Sequence, residues 1–107
     1  LIGTKELAQM KRGAALINNS RGKVVDLEAL AAALRSGHLA GAAADVFPEE
    51  PAENGQGFRT PLAGLGNVIL TPHIGGISPQ AIHASVVRFL ENAEAHLAGH
   101  PLLTQVN

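Results

Sequence analysis

Apolar and polar positions along the chain fall into short blocks that predict three strands and three helices. Three short apolar runs are typical of buried parallel strands, and they lie at 14–18, 39–46 and 67–70. Three other segments repeat apolar residues at helical spacing, at 5–10, 27–36 and 79–98. Because the strands alternate with helices or with a long loop, the pattern predicts an α/β fold with a parallel sheet.

Residues that start and stop helices support these boundaries. Thr4 and Asp26 are expected to cap the first two helices, and Ser78, which a proline follows, is expected to cap the third. A glycine is expected to end each helix, at positions 13, 37 and 99. Residues 47–66 contain three prolines and four glycines, so we expect a long loop there, which in a compact domain is typical of a functional segment.

The composition narrows the class of protein. The chain has 107 residues, of which 46% are hydrophobic and 3% aromatic, and it has no cysteine. Disulfides are therefore excluded, and a core of small aliphatic side chains is expected. A net charge of -1 gives no electrostatic signature of binding to nucleic acid or membranes, and no apolar run approaches the ~18 residues of a membrane span. Since the chain starts at Leu1 and not at methionine, we expect a fragment of a longer protein.

Polar residues cluster at the end of each predicted strand. The three clusters are Asn18-Asn19-Ser20-Arg21-Gly22, Asp45 with Glu49 and Glu50, and His73 with Gly75-Gly76. In an open parallel sheet, ligands bind outside the carboxyl ends of the strands, which lie at one edge. The sequence therefore predicts a binding site at that edge, where the two glycines after the histidine let a ligand approach the backbone closely.

An arginine, a carboxylate and a histidine at adjacent strand ends form a chemically complete set. The Arg21 guanidinium can bind a carboxylate through two hydrogen bonds and polarise a neighbouring carbonyl. His73 can exchange a proton, and Glu50 can hold the imidazole in one tautomer and keep it protonated. Taken singly, each residue also fits an ordinary surface role, as a solvated cation, a member of an acidic pair or a loop histidine.

Two other patterns do not predict a site. His96 and His100 are four residues apart, but a glycine and a proline end the helix there and no third ligand accompanies them, so no metal site is predicted. The adjacent carboxylates at 49 and 50 cannot flank a glycosidic bond from two sides, so glycoside hydrolysis is not predicted.

Three segments of the chain resemble the D-isomer-specific 2-hydroxyacid dehydrogenases. They are LINNSRGKVV at 16–25, GAAADVFPEEP at 41–51 and NVILTPHIGG at 67–76, with Thr60-Pro61-Leu62 before the last. The resemblance implies that Arg21 binds the substrate carboxylate and carbonyl, that Glu50 pairs with the catalytic histidine, and that His73 donates the proton. It also implies a bound NAD, with NADP left open, held by Asn19, Ser20, Arg21, Asp45, His73, Gly75 and Gly76.

The same resemblance implies how the chain is organised. Residues 1–77 would form the second half of a Rossmann-like, doubly wound parallel sheet, and 78–107 a long C-terminal helix returning to a missing substrate domain. The whole protein would be a cytoplasmic homo-oligomer, a dimer or tetramer, acting on a small-molecule 2-hydroxy or 2-oxo acid, and the fragment alone would be inactive. The 3-phosphoglycerate and 3-phosphohydroxypyruvate couple of serine biosynthesis is expected first, on the match at 60–76 and 105–107, and glyoxylate or hydroxypyruvate second.

Two alternatives share features of this pattern. A dinucleotide-sensing transcriptional co-repressor uses the same fold with the same arginine, glutamate and histidine, and a peptide-binding cleft elsewhere in the protein would distinguish it. Formate dehydrogenases are nearer, but they resemble this pattern with Gln at the position of Glu50, which favours 2-hydroxy acids here. The glycine-rich turn for the pyrophosphate, and the acidic residue that selects NAD over NADP, lie upstream of Leu1 in such proteins.

Overall fold

The computed structural model of the protein describes residues 1–51 and 58–104. The chain divides into two compact units, Leu1–His73 and Ile74–Asn107. The first unit contains the sheet and two helices, and the second contains the long C-terminal helix. The division at 77/78 that the family resemblance implies, and the role of the C-terminal helix in a substrate domain, stay predictions.

Three helices and three strands occur in the predicted order. They are α1 Thr4–Gln9, β1 Ala15–Asn18, α2 Leu27–Arg35, β2 Gly41–Ala44, β3 Val68–Leu70 and α3 Pro79–Leu97, with a 3₁₀ turn at Gly22–Val24. Asp26 caps α2 as predicted, because its Oδ1 accepts hydrogen bonds from the amides of Glu28 at 3.0 Å and Ala29 at 3.1 Å. Ser78 caps α3 in the same way, with the Ala81 amide 3.1 Å from its Oγ.

Three predicted boundaries were wrong. Helix α1 ends at Gln9 with Met10 as its cap, three residues before the glycine that was expected to end it. Thr4 does not cap α1 but is its first residue, since the cap is Gly3, whose amide donates to the Glu6 carboxylate at 2.9 Å. The second strand is half the predicted length. It pairs with only four residues of β1, from Ala15↔Gly41 to Asn18↔Ala44, and a ladder cannot extend beyond its partner.

The three strands form one parallel sheet in the order β1-β2-β3, which confirms the predicted fold class. Helices α1 and α2 pack on one face of this sheet. Every residue of the stripe predicted for α2 is buried, because Leu27, Leu30, Ala31 and Leu34 recur at helical spacing. The core also contains Leu7, Val25, Leu39, Ala42, Ala44, Phe47 and Leu62. Small alanines in β2 let the leucines of α2 pack close to the sheet.

The opposite face of the sheet carries exposed apolar side chains. Ile17 and Ile69 lie in one row on either side of Ala43, because the three residues pair in register. Their side chains are 75% and 68% exposed. Among the described residues, α3 also has no buried side chain, so its predicted apolar stripe from Ile82 to Leu97 is uncovered. Apolar area of this kind favours association.

Some expectations concern residues outside the described ranges. Part of the predicted loop at 47–66, namely 52–57, lies there, and so does the segment Gln105-Val106-Asn107 that supported the choice of substrate. In the part of the chain that the structure describes, no helix is long and apolar enough to cross a membrane.

Residues 1–107 produced alone should self-associate, because the row formed by Ile17, Ala43 and Ile69 presents apolar area on an uncovered sheet face. Replacing both isoleucines by threonine keeps β-branched residues in the strands and should lower the association measured by analytical ultracentrifugation over a concentration series. Leu103→Thr is the matched control, since Leu103 is 58% exposed but lies outside the sheet. A monodisperse monomer of the unaltered chain at every concentration would contradict this prediction.

Candidate active site

The carboxyl ends of the three strands lie in a single row. Asn18, Ala44 and Leu70 are register partners, so the loops after the strands all begin at the same edge of the sheet. Two further backbone hydrogen bonds continue the ladder past this row, from the Asp45 amide to Asn18 O and from the Thr71 amide to Ala44 O, each at 3.0 Å. The predicted polar clusters therefore start side by side.

Glu50 and His73 are in direct contact although 23 residues separate them in sequence. His73 Nδ1 lies 2.8 Å from Glu50 Oε2, in the geometry of a hydrogen bond or an ion pair. The other carboxylate oxygen, Oε1, accepts a hydrogen bond from the Phe47 amide at 2.9 Å. Both oxygens of Glu50 are thus engaged, and the imidazole is oriented through Nδ1. Nε2 is consequently the nitrogen through which His73 can exchange a proton with a ligand.

These contacts lower the pKa of Glu50 below its ordinary value of 4.5. The main cause is the hydrogen bond with His73, followed by the hydrogen bond from the Phe47 amide, since both favour the ionised carboxylate. The negative charge of Asp45 acts weakly in the opposite direction. Glu50 is therefore an anion at neutral pH and presents a full negative charge to the imidazole.

His73 has a left-handed backbone conformation, with φ at 55°. Histidine adopts this region more often than most residues, although a non-glycine residue there costs roughly 1–3 kcal/mol. The conformation follows Thr71 and Pro72 and is accompanied by a hydrogen bond from the His73 amide to Thr71 O at 3.1 Å. It turns the chain sharply at the end of β3, directly beside the contact with Glu50.

Arg21 is held by the loop that follows β1. Asn18, whose side chain is 5% exposed, accepts bonds at Oδ1 from the Ser20 amide and hydroxyl and donates from Nδ2 to Arg21 O. The Arg21 guanidinium is exposed and donates to Ser20 O at 2.7 Å. The sequence prediction placed Asn19 and Ser20 at the site but missed this role of Asn18. A polar residue inside an otherwise apolar strand was the available signal.

Arg21, Glu50 and His73 line one open cleft of about 410 Å³. The remaining lining residues are Gly22, Lys23, Val46, Phe47 and Pro48. Two cations, one carboxylate and one imidazole thus face the same space, with apolar wall provided by Val46 and Phe47. Such a cleft attracts a small anion and provides both a charged anchor and a proton-exchanging group.

The predicted cofactor residues Asn19 and Asp45 lie at the same strand ends. Asp45 is partly buried, and its Oδ1 accepts a hydrogen bond from Thr71 Oγ1 at 2.5 Å, which links the ends of β2 and β3. Thr71 was not predicted at the site. Asn19 is exposed in the loop after β1. Gly75 and Gly76 belong to the second unit. A Cβ on Gly76 would meet no described atom within 4 Å.

Residues 1–51 and 58–104 contain no group of three or more histidine, cysteine, aspartate or glutamate side chains that could hold a metal ion. His96 lies in the last turn of α3, where a basic side chain complements the negative end of the helix dipole.

Comparison with known proteins finds relatives in sequence and in structure whose names are those of dehydrogenases or reductases. D-3-phosphoglycerate dehydrogenase of Escherichia coli K12 is 58% identical over 81 residues, which are 76% of this chain and 20% of that protein. The crystal structure of a D-isomer specific 2-hydroxyacid dehydrogenase from Xanthobacter autotrophicus Py2 in complex with NADPH and MES is 43% identical, with a TM-score of 0.71, and aligns with 100% of this chain and 42% of its own. A glyoxylate reductase from Paecilomyes thermophila is 35% identical, with a TM-score of 0.69, over 99% of this chain and 31% of its own.

The chain thus spans about a fifth of the length of the curated relative from E. coli. Its structural neighbours confirm the Rossmann-like fold expected from the sequence. Residues 1–75 match the description "D-isomer specific 2-hydroxyacid dehydrogenase, NAD binding domain". Since this match covers most of the chain, the protein belongs to the D-isomer specific 2-hydroxyacid dehydrogenase family, and the matched residues are part of its NAD-binding domain.

Proposed function

We propose that this chain carries the acid-base and substrate-anchoring residues of an NAD-dependent oxidoreductase. The reaction is hydride transfer between the nicotinamide and C2 of a 2-hydroxy or 2-oxo acid. The observation that carries the proposal is the 2.8 Å contact between His73 Nδ1 and Glu50 Oε2, in a cleft that Arg21 also lines. This contact leaves Nε2 of the imidazole as the proton donor or acceptor.

His73 acts as the general acid in the reducing direction. Its protonated Nε2 delivers a proton to the carbonyl oxygen of the 2-oxo acid as C2 receives the hydride, and it recovers a proton from solvent afterwards. In the oxidising direction the neutral imidazole takes the proton from the 2-hydroxyl group. Glu50 favours the protonated imidazole and holds its orientation, since an anion lies against Nδ1.

Arg21 anchors the substrate. A guanidinium binds a carboxylate through two parallel hydrogen bonds and stabilises negative charge that develops on an adjacent carbonyl oxygen. Lys23 lines the same cleft and adds a second positive charge, which favours anionic substrates. Arg21 and Lys23 therefore favour the binding of acids over that of neutral ketones.

The residues at this edge also fit a nicotinamide cofactor. NAD, when bound, supplies the hydride acceptor for oxidation and, as NADH, the hydride donor for reduction. The Asp45 carboxylate accepts hydrogen bonds of the kind that a carboxamide NH₂ donates, and its position is held by Thr71. Asn19, Ser20, Arg21 and His73 would line the nicotinamide, and Gly75 and Gly76 would allow close approach of the backbone. NADP is an alternative, because the structural neighbour from Xanthobacter holds NADPH.

Among substrates we favour the 3-phosphoglycerate and 3-phosphohydroxypyruvate couple of serine biosynthesis. The support is the 58% identity with D-3-phosphoglycerate dehydrogenase of E. coli. Glyoxylate and hydroxypyruvate are the second choice, supported by the similarity to a glyoxylate reductase. A homo-oligomer, dimer or tetramer, in the cytoplasm remains a prediction from the family resemblance.

Arg21→Ala in the complete enzyme should lower kcat/KM for 2-oxo acids by roughly 30-fold to 5000-fold, since a desolvated charge pair of this kind is worth about 2–5 kcal/mol. Arg21→Lys should restore only part of the rate, because an ammonium lacks the planar fork of a guanidinium. Arg12→Ala is the control, since Arg12 is exposed in the turn before β1, at the other end of the strands. Equal kcat/KM for Arg21→Ala and the unaltered enzyme on every 2-oxo acid would contradict the assignment.

The Glu50–His73 pair should set the pH dependence of reduction. Because the pKa of Glu50 is lowered, the contact is fully present above pH 4.5 and is lost as pH falls through the lowered value. Reduction should therefore persist to acid pH and weaken only where Glu50 becomes protonated. Glu50→Gln removes the anion that lies against the general acid, so the pH–rate profile of reduction should change.

The control for this experiment is His73→Asn, because asparagine tolerates the left-handed backbone of position 73 but cannot exchange the proton. This variant should fold and lose most of its activity at every pH. A pH–rate profile that is identical for Glu50→Gln and the unaltered enzyme would show that the contact has no part in the reaction.

The choice of substrate is tested by a matched pair that differs only in a phosphate group. The complete enzyme should reduce 3-phosphohydroxypyruvate with a kcat/KM at least about tenfold above that for hydroxypyruvate, since one hydrogen bond to a charged group contributes about 1.5–3 kcal/mol. Steady-state kinetics at saturating NADH, with glyoxylate as a third substrate, measures the ratio. A preference for hydroxypyruvate or glyoxylate would reverse the order of the two candidates.

A further inference from the structure

Gly22, the residue after Arg21, touches the peptide between Phe47 and Pro48. A Cβ placed on Gly22 would lie 1.9 Å from Phe47 C, 2.1 Å from Phe47 O and 2.4 Å from Pro48 N. Real Cβ atoms essentially never lie within 3.0 Å of such neighbours, and these are backbone atoms that cannot rotate away. The two chain segments thus meet at a distance that no other amino acid permits.

Space, and not backbone conformation, requires glycine at this position. The glycines with positive φ among the described residues are at positions 13, 37, 64 and 99. Gly22 is not one of them, so an L residue could adopt its backbone angles. Gly22 is buried, whereas Arg21 beside it is exposed in the cleft. A side chain at position 22 would therefore have to push the neighbouring segments apart.

Both segments that meet at Gly22 carry groups of the candidate site. On one side, Arg21 precedes Gly22 directly. On the other, the Phe47 amide donates to Glu50 Oε1 at 2.9 Å, and Glu50 Oε2 contacts His73 Nδ1 at 2.8 Å. All of these residues line the same cleft. The contact at Gly22 therefore joins the segment that carries Arg21 to the segment that holds Glu50.

Neither segment can move away without disrupting other contacts. Phe47 is 9% exposed, belongs to the core and packs edge-on against Phe58 with ring centroids 4.7 Å apart. The loop before Gly22 is tied down by the buried Asn18 side chain. In a Gly22→Ala variant, moving the new Cβ from 1.9 Å to 3.0 Å from Phe47 C requires a relative shift of the two segments of about 1.1 Å. This shift must reach either Arg21 or the Phe47–Glu50 hydrogen bond.

We infer that Gly22 is a positioning residue, whose missing side chain sets the spacing between the Arg21 anchor and the Glu50–His73 pair. This inference rests on the proposed function, because the spacing matters only if the arginine and the histidine act on one substrate. Gly22 is assigned no contact with substrate or cofactor. Its effect is exerted through the Phe47–Pro48 peptide.

The first test is the kinetics of Gly22→Ala in the complete enzyme with 3-phosphohydroxypyruvate, hydroxypyruvate and glyoxylate. The variant should lose about 100-fold in kcat/KM on the best of these substrates, the effect expected from a misplacement of about 1 Å. Gly66→Ala is the control that should keep the full rate, since its Cβ would meet no described atom within 4 Å and its φ is not positive. Gly41→Ala controls for general destabilisation, because its Cβ would lie 3.1 Å from Asn67 O, away from the cleft.

A double-mutant cycle separates positioning from a loss of stability. If Gly22 acts through the Glu50–His73 pair, Gly22→Ala should cost about tenfold or less in a Glu50→Gln background, where that pair is already disrupted. The pH–rate profile of Gly22→Ala should also shift in the same direction as that of Glu50→Gln. Equal fold losses in both backgrounds, with an unshifted profile, would overturn the inference.

A spectroscopic measurement makes the result independent of catalysis. The ¹⁵N signals of the His73 ring, assigned by comparison with His73→Asn, report the hydrogen bond at Nδ1. They should move toward those of Glu50→Gln in Gly22→Ala and stay unchanged in Gly66→Ala. An unaltered enzyme that reduces no 2-oxo acid would refute the proposed function, and the inference with it, even if these signals move. An active enzyme in which Gly22→Ala matches Gly66→Ala in rate and spectrum refutes the inference alone.

Pro48→Gly covers the case in which Gly22→Ala does not fold. It leaves Gly22 intact but removes the ring that stiffens the opposing peptide, so the contact should loosen. A smaller change in the same direction is expected, about tenfold in kcat/KM with a partial shift of the His73 signals. If Pro48→Gly changes neither quantity, the Phe47–Pro48 peptide does not position the pair and the inference is wrong.

Discussion

Parallel pairing of three strands in a single register is the constraint on which the candidate site depends. Asn18, Ala44 and Leu70 end their strands in one row, so three loops that are distant in sequence start within two strand spacings, each about 4.8 Å. A slip of β3 by one residue would displace His73 by about 3.3 Å and turn the partly buried Val68 away from the core. The positions of the functional groups at this edge thus depend on the register in which the apolar strands pair.

The core maintains this register by packing small side chains of β2 against larger, branched side chains of α2. Ala42 and Ala44 leave room above β2, and the leucines of α2 occupy it. The buried Asn18 ends the apolar strand β1, and its side chain donates a hydrogen bond to Arg21 O. This bond holds the loop that carries Arg21. Functional sites require their groups to be held within about 0.5 Å, and loops positioned by a rigid scaffold commonly carry such groups.

At the site, the contacts of Glu50 and the backbone of His73 support each other. The left-handed conformation at His73 is unfavourable alone, but it accompanies a hydrogen bond from the imidazole to an ionised carboxylate. The Phe47 amide in turn holds Glu50 through a hydrogen bond, and the Phe47 side chain packs in the core. The imidazole is therefore oriented by a short series of contacts that runs from Phe47 in the core, through Glu50, to His73 in the exposed cleft.

The sequence by itself determined the order of elements, the buried stripe of α2, the cap at Asp26 and the three polar clusters, because these follow from local periodicity and capping chemistry. The family motifs in the sequence also indicated Arg21, Glu50 and His73 as a set. Only the tertiary structure decided the length of β2, the buried role of Asn18, the bond between Thr71 and Asp45, and the close approach at Gly22. Each of these depends on which segments become neighbours across the sheet edge, and no local pattern encodes a distance between residues 22 and 47.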